Sequence, residues 1–419
     1  MSRLKNFISE LEIYKRIAIF GYGVEGKSFH SFAQKYLPHT EIIIIDKAYG
    51  DEENYLNRLC SAELIVKSPG VSLHNLGIDY DTYNFTSTTE LFLKHFGSQT
   101  IGVTGTKGKS TLATLIDTML KNAGKKSLLC GNIGLSPLEI IEDINRDTVV
   151  VMELSSHQLH HIRHAPHIAI LTNLFAEHLD YYKSETDYYQ AKFNIFLHQK
   201  PEDSFITNIE NQKKFFNKEL IKTERFYNVF DKKLAYPYTF DIKQGYVHHA
   251  GLQILEQVRE VLDIDALAYQ KSLREFQTLP HRLEYVGTLN GISYINDSIA
   301  TIPEATMEAV KILKDVDTLI LGGYDRGVSY KALGEFLDAS DVENIICFSD
   351  TGRQIYEKLK DNKKEKNIFY LDDLQKSVEK AKCVAKNIVL FSPAASSFNM
   401  YRNFVERGEA FKDEVLNLA

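Results

Sequence analysis

The chain has 419 residues, 44% of them hydrophobic and 25% charged, with a formal net charge of −7. Such a length exceeds what one hydrophobic core organises and predicts two or three domains. The acidic balance excludes a general basic surface for nucleic acid or anionic membrane, so an anionic ligand must be caught at a local site. The four cysteines, Cys60, Cys130, Cys347 and Cys383, form no C-x-x-C pair and read as free thiols of a reducing compartment. The opening "MSRLKNFISELEIYKR" is charged throughout and lacks the apolar core of a secretion signal. No run approaches the roughly eighteen apolar residues of a membrane span. The expectation is a cytoplasmic protein with no membrane and no nucleic-acid partner.

In chain order, strands are predicted at residues 16–20, 41–46 and 64–67 with helical stretches between them, a small doubly wound α/β unit. "GYGVEGKS" follows the first strand and sets Gly21, Gly23 and Gly26 in G-x-G-x-x-G spacing. The second strand ends on Asp46, where a dinucleotide enzyme would hold a ribose. A nicotinamide dinucleotide, another diphosphate and a purely structural tight turn all fit this stretch alone. "KSPGVS" places Ser68, Pro69 and Gly70 at a strand's carboxyl end, the edge at which such sheets bind ligands.

A second α/β unit opens near residue 99, with strands predicted at 127–130, 148–153, 168–172 and 203–208 and helices at 187–197 and 263–276. "VTGTKGKST", between a strand and a helix, is a phosphate loop. Backbone N–H groups from Gly105 through Thr106, Lys107, Gly108, Lys109 and Ser110 can wrap phosphate oxygens at a helix start, with Thr111 behind them. Lys109 would reach the β- and γ-phosphates and Ser110 a Mg²⁺ ion. Val103 stands where the strict motif has its first glycine. A nicotinamide enzyme has no use for an ATP loop, so the first cradle suits a different diphosphate, such as a nucleotide sugar. Glu153 ends an apolar strand of the same sheet and suits a Mg²⁺ ligand. "SSHQ" after it is also a helix-capping start.

"LTNLFAEHLDYY" brings Asn173, Glu177, His178 and Asp180 to the next strand's end. "HHIRHAPH", with His157 before it, suggests zinc because His157 and His161 could share a helix face. No cysteine set or H-E-x-x-H pattern supports that metal. "YYQAKFNIF" reads by composition as an amphipathic helix with Lys192 as a surface lysine. "TLPHRLE" is a domain junction, followed by a third α/β unit with strands at 292–296, 318–321, 344–348, 368–371 and 387–391 in a parallel sheet. "INDSIAT" offers Asp297 and Thr301 as ligand contacts, and "LFSPAASSF" offers Ser396 and Ser397 at a helix start.

The ordered set "GTKGKST", "GNIGLSPL", "MELSSHQL", "NLFAEHLD", "YYQAKFNI", "LPHRLE", "NDSIAT" and "SPAASSFNMYRNFVERG" resembles the Mur ligase family of peptidoglycan synthesis, most of all its D-glutamate-adding branch. The resemblance covers nearly the whole chain and is weak near residues 211–262. Diamino-acid-adding relatives carry D-N-P-R in the third domain, where this chain has "GGYDRGVSY". The alternatives are another branch of the family, adding L-alanine or extending a folate tail, and a catalytically idle regulator with the same fold.

The resemblance implies three α/β domains. Residues 1–97 would be a Rossmann-like unit for the UDP substrate, 98–280 a central P-loop ATPase-type unit, and 281–419 a C-terminal dinucleotide-fold-like unit for the amino acid. It implies an ATP-dependent ligase, working as a monomer, that activates UDP-N-acetylmuramoyl-L-alanine as an acyl phosphate for attack by D-glutamate. Lys109, Ser110 and Glu153 would then handle the phosphates and one Mg²⁺, and His178 a second. Lys192 would be carbamylated by CO₂ into an oxygen ligand. Asn132, Arg282 and Asp297 match nucleotide contacts. Gly23, Val24, Asp46, Ser68, Pro69 and Gly70 match the UDP site. Thr301, Arg326, Ser397 and Phe404 match the D-glutamate pocket. Four departures stand out: Ile299 where relatives have lysine, Arg326 where lysine is usual, Glu25 where threonine is frequent, and Gln253 where an adenine-binding asparagine is expected.

Overall fold

The computed structural model describes residues 3–49, 55–175, 181–208, 217–360, 366–398 and 400–418. The chain is α/β throughout and forms two compact units. One comprises Met1–Pro237 with Val247–Arg274, the other Tyr238–Tyr246 with Glu275–Ala419.

The first unit carries two parallel sheets. Strands β1 (Arg16–Phe20), β2 (Glu41–Ile45), β3 (Leu64–Lys67) and β4 (Phe85–Thr86) form a four-stranded sheet in the order β2-β1-β3-β4. Strands β5 (Thr100–Thr104), β6 (Ser127–Gly131), β7 (Val149–Glu153), β8 (Ile168–Leu171), β9 (Ser204–Thr207) and β10 (Arg225–Asn228) form a six-stranded sheet in the order β10-β9-β8-β5-β7-β6. Runs such as "LIVK", "IAIL" and "SFIT" are buried at every position, because helices cover both faces of a parallel sheet. Packing between the two sheets is continuous. One apolar cluster runs from Phe7 and Phe32 through Cys130 and Leu138 to Phe193 and Phe205. Ser28 donates to Ser136 at 2.8 Å across the same boundary.

The second unit has one sheet, of β11 (Glu284–Leu289), β12 (Ile292–Asn296), β13 (Val316–Gly322), β14 (Asn344–Phe348), β15 (Asn367–Leu371) and β16 (Ile388–Phe391), ordered β11-β12-β16-β13-β14-β15. The expected parallel sheet is here a mixed one. β11 pairs antiparallel with β12 through a tight connection at Asn290–Gly291, both with positive φ. Two extended runs separated by so few residues can pair only as a hairpin. Residues 238–246 belong to this unit, with Phe240 edge-on to Phe276 and Thr278 N donating to Gln244 O at 2.9 Å.

Two further expectations are corrected. The helix after Glu153 spans only Ser156–Leu159, so His157 and His161 share no helix face. Ser155 caps it through a capping box with Gln158, and the chain turns extended at His160. The helix Glu185–Leu197 is not amphipathic. Tyr188, Tyr189, Ala191, Lys192, Phe193, Ile195 and Phe196 are all buried, so Lys192 is an interior residue. Among the described residues no helix is long and apolar enough to cross a membrane.

Candidate active site

The phosphate loop turns between β5 and the helix Lys109–Asn122. Gly105 has φ +144°, and a Cβ there would lie 1.9 Å from Thr172 Oγ1. Gly108, at φ +78°, is the helix N-cap and supplies no side-chain cap. The first-turn N–H groups are therefore left for a ligand, and the helix dipole favours an anion there. The end of β8 straps the loop from behind. Thr172 Oγ1 and Asn173 Nδ2 donate to Lys107 O at 2.7 and 3.1 Å, Lys107 N donates to Asn173 Oδ1 at 2.8 Å, and Thr106 N donates to Asn173 O at 3.0 Å. Lys109 Nζ donates to Thr106 O at 3.0 Å, and Ser110 and Thr111 are buried beneath. Gly105→Ala is expected to force this loop open and to weaken ATP binding at least about tenfold. Strain of this kind costs about 1–3 kcal/mol, to be read as a shift in the urea midpoint of the whole chain beside calorimetric ATP titration.

β7 ends on Glu153, which is 1% exposed. Its Oε1 accepts from Asn132 Nδ2 at 3.1 Å, and its Oε2 is buried with no hydrogen-bond partner. Gly131, paired with Glu153 in the β6–β7 register, makes room, because a Cβ there would lie 2.2 Å from Glu153 O. An enclosed carboxylate oxygen without a donor is costly unless a cation or donor arrives. That orphaned oxygen beside a phosphate loop fits a Mg²⁺ ligand. Lys192, 2% exposed, donates to Gly105 O at 2.8 Å and lies 4.9 Å from the centre of the Tyr188 ring.

These groups converge. A cleft of about 400 Å³ is lined by Lys109, Asn132, Lys192, Tyr188, Ser155, Ser156, His157 and Tyr181, and by Pro69 and Gly70 of the first sheet. Sequence reasoning did not single out Tyr181 or Tyr188. His178, with Glu177 and Asp180, lies outside the described residues.

At the glycine cradle, Gly21 has φ +91°, and a Cβ there would lie 2.6 Å from Val71. Gly26 passes so close that a Cβ would lie 2.3 Å from Gly21 O. Gly23 caps the helix Val24–Tyr36 without a side-chain bond, and Val24 is 80% exposed beside it. Asp46 accepts from Tyr22 N at 2.7 Å and Ala48 N at 2.9 Å, so it braces the cradle. Ser68 Oγ donates to Gly21 O at 2.5 Å. Glu25 turns inward, where Oε1 accepts from Gln158 Nε2 at 2.7 Å and Oε2 is enclosed without a partner. Burial raises its pKa above the usual carboxylate value. Gln253 is buried in the helix His249–Val261 and donates to Phe230 O and Lys232 O at 3.1 and 2.7 Å, a clamp on that loop.

In the second unit, Asp297 accepts from Leu283 N at 3.2 Å and Ser392 Oγ at 2.8 Å, which fixes the end of β12. Arg282 sits between two positive-φ residues, His281 and Leu283, and its Nε is buried without a partner. Ser397 is buried, and Phe404 opens the helix Phe404–Leu416, its carbonyl accepting from Ser298 Oγ at 2.8 Å. Thr301 and Ile299 are half-buried, while Arg326 is exposed with its guanidinium 4.9 Å from the Phe398 ring centre. Arg407, missed from sequence, is 1% exposed and donates to Ser298 Oγ, Ser298 O and Ala395 O at 3.1, 2.8 and 2.9 Å, locking the two loops together.

Residues 103–262 match the family model of the Mur ligase middle domain, and residues 281–395 that of the Mur ligase glutamate ligase domain. The chain is similar to the UDP-N-acetylmuramoylalanine–D-glutamate ligase of Clostridium acetobutylicum, at 31% identity over 96% of this chain and 97% of that one. It is also similar to the enzyme of the same name from Ruminiclostridium cellulolyticum, at 30% identity over 98% and 95%. Among solved structures it resembles the UDP-N-acetylmuramate–alanine ligase MurC of Thermotoga maritima, with a TM-score of 0.59 and 16% identity over 97% of this chain and 100% of that one. It also resembles the MurF ligase of that organism in complex with ADP, with a TM-score of 0.59 and 18% identity over 96% and 95%. The structural likenesses establish the fold, and together with the sequence matches across nearly the full length they show that this chain belongs to the Mur ligase family.

Proposed function

We propose that this protein joins D-glutamate to UDP-N-acetylmuramoyl-L-alanine with consumption of ATP, as a cytoplasmic monomer in peptidoglycan precursor synthesis. The observation that carries the reading is the cleft in which the phosphate loop, Lys192 and the Pro69–Gly70 turn face one another, with the orphaned oxygen of Glu153 beside its Asn132. On this reading residues 1–97 hold the UDP-linked substrate, 98–280 hold ATP, and 281–419 hold the amino acid. The relatives' name supports the choice of D-glutamate.

The chemistry follows from the groups. A carboxylate is a poor electrophile, so the substrate's L-alanyl carboxylate first takes the γ-phosphoryl group of ATP, giving an acyl phosphate and ADP. The D-glutamate amine then attacks the acyl carbon, and inorganic phosphate leaves as the amide forms. Positioning and charge neutralisation do most of the work. The N–H groups at the start of the helix Lys109–Asn122 and the Lys109 ammonium would hold the transferred group in line. Ser110, Glu153, His178 and Lys192 would hold Mg²⁺, two ions in all, and the metal supplies Lewis-acid neutralisation of phosphate charge. Asn132 orients Glu153. For Lys192 to contribute an oxygen, its neutral amine must add CO₂ and release one proton, giving a carbamate. Arg282 and Asp297 serve the nucleotide, while Thr301, Arg326, Ser397 and Phe404 serve D-glutamate. Phosphate release measured with ATP, Mg²⁺ and UDP-N-acetylmuramoyl-L-alanine against a panel of amino acids tests the reading. Release that depends on D-glutamate supports it, and release with L-alanine or a folate acceptor instead overturns it.

Arg326 carries a separate expectation. With Ile299 in place of a lysine, one cation is missing near the amino-acid site, and a guanidinium can grip a carboxylate with two parallel hydrogen bonds. Its exposure and its stacking on Phe398 leave its donors open to a ligand. Arg326→Ala is expected to raise the KM for D-glutamate about tenfold or more, with the KM for ATP unchanged, and Arg326→Lys to recover part of the loss. An unchanged kcat/KM for D-glutamate would make Arg326 a solvated turn residue.

A further inference from the structure

Lys67 ends β3 and is 4% exposed. The simple expectation for a lysine closing an apolar run is a solvated strand end. Instead its ammonium turns back under the next four residues. Nζ donates to Ser68 O at 3.2 Å, Val71 O at 3.0 Å and Tyr181 Oη at 3.3 Å. Pro69 O and Val71 O each lie 3.0 Å from Tyr181 Oη and share its single proton, and Ser72 Oγ donates to Tyr181 O at 3.0 Å. One ammonium and one phenol thus gather the inward carbonyls of the Ser68–Val71 turn. The outer side of that turn, Pro69 and Gly70, lines the cleft, and Ser68 holds the glycine cradle at Gly21.

No carboxylate of the described residues forms a salt bridge with Lys67. Its electrostatic surroundings are the nearby Glu25 of the helix Val24–Tyr36, Tyr181, and the imidazoles of His160 and His161. Those two rings stack at 3.7 Å, and His161 stacks on Tyr80 at 4.1 Å. Burial, with neighbouring cations including Lys67, brings their pKa values down to about 3 and about 4, so both are neutral near pH 7. Burial also brings Lys67 down to about 8, against an opposing pull from Glu25. The ammonium is therefore charged at pH 7 and largely neutral by pH 9. A neutral amine keeps its place but loses the charge that makes its bonds to carbonyls strong.

We infer that Lys67 is a positioning residue for the nucleotide-diphosphate-linked substrate: with Tyr181 it fixes the Ser68–Val71 turn in the shape that both the glycine cradle and the cleft require. The inference rests on the substrate assignment proposed above. Lys67 uses its donors on the turn and on Tyr181, so its effect on the ligand is exerted through the turn and through its field.

Calorimetric titration of the full chain with UDP-N-acetylmuramoyl-L-alanine at pH 7 and pH 9, beside ATP titration and steady-state kinetics, tests this. In the wild type, binding of the UDP-linked substrate is expected to weaken several-fold from pH 7 to pH 9. Lys67→Met fills the same volume without charge. It is expected to bind the substrate about tenfold or more weakly at pH 7 and to lose the pH dependence, with ATP affinity and turnover at saturating substrate retained. Tyr181→Phe keeps the ring and the ammonium but loses the bridging hydroxyl, and is expected to fall between the two while keeping the pH dependence. A Lys67→Met protein with wild-type affinity and an unchanged pH profile overturns the inference and leaves the substrate assignment standing. A wild type that binds ATP but no UDP-linked ligand at either pH overturns both. Should Lys67→Met fail to fold, a Tyr181→Phe protein that binds as the wild type does at both pH values overturns the inference by itself.

Discussion

Lys109→Ala is expected to fold as the wild type does and to lose ATP-dependent phosphate release by at least about a hundredfold, the cost of removing one group aimed at developing charge. Lys109 donates to Thr106 O within its own loop. The loop's shape is held elsewhere, by Gly105 against Thr172 and by the Asn173 strap on Thr106 and Lys107. Those contacts stay in place in the variant, and its melting is expected to overlay that of the wild type. The catalytic loss should be larger than the binding loss. The ammonium is most needed as the γ-phosphoryl group moves and charge spreads over its oxygens. ATP affinity, measured by calorimetry without the second substrate, should fall by less than turnover does. Lys109→Arg keeps the charge, but its wide planar head does not replace a compact ammonium on a rotating phosphoryl group, so it should restore binding more than turnover. A folded Lys109→Ala protein with near-normal phosphate release would remove the phosphate-loop assignment, and with it the ATP-dependent step.

The loop was readable because its constraints are backbone constraints. Gly105 and Gly108 occupy positive φ, which glycine adopts at least cost, and a Cβ at 105 would also collide with Thr172, so "GTKGKST" between a β-branched run and a helix reveals its geometry. The buried strands were readable for a similar reason. "LIVK" and "IAIL" are short apolar runs bounded by turn residues, as strands covered on both faces are. What stayed hidden was set by tertiary packing. β10 is the half-exposed "RFYN" at a sheet edge, and β4 is only Phe85–Thr86, too little sequence for a period. The helix His249–Val261 went unread in a stretch where the family pattern is weak. Lys67 and Lys192 are the clearest cases. Each is a lysine at the end or on the side of an apolar element, and composition alone places such a residue in water. Lys67 is drawn inward by three acceptors that no local pattern encodes. Lys192 is enclosed because its helix is buried on most sides, its own Tyr188, Tyr189, Phe193 and Phe196 lying in the apolar core. Asp46 shows what spacing leaves out: it pointed to a ligand contact and said nothing of the bracing, in which the carboxylate accepts from Tyr22 N of the cradle and from Ala48 N of the following turn.

Lys192→Ala is expected to lower turnover by about a hundredfold or more, and the reason separates a chemical role from a structural one. The amine lines the cleft with Lys109 and Asn132, and Asn132 donates to Glu153, whose Oε2 is buried without a hydrogen-bond partner. A second cation there would repel a metal ion. A carbamate formed from the neutral amine and CO₂, with one proton released, presents oxygen to a hard cation instead. Two measurements follow. Native mass analysis of the wild type under bicarbonate should show the added mass of one carbon dioxide on the peptide containing Lys192, lost on acidification. Short carboxylic acids added to Lys192→Ala should recover part of the turnover, by placing a free carboxylate in the space left. Lys192 also donates to Gly105 O at 2.8 Å, so a purely structural lysine would disturb the phosphate loop when removed. In that case ATP binding would fall together with turnover, added acids would restore nothing, and the native protein would carry a free amine. Lys192→Met, which keeps the helix packed, guards against collapse of the site. A Lys192→Met protein as active as the wild type in solutions stripped of CO₂ would end the carbamate reading and leave Glu153 to hold the metal without it.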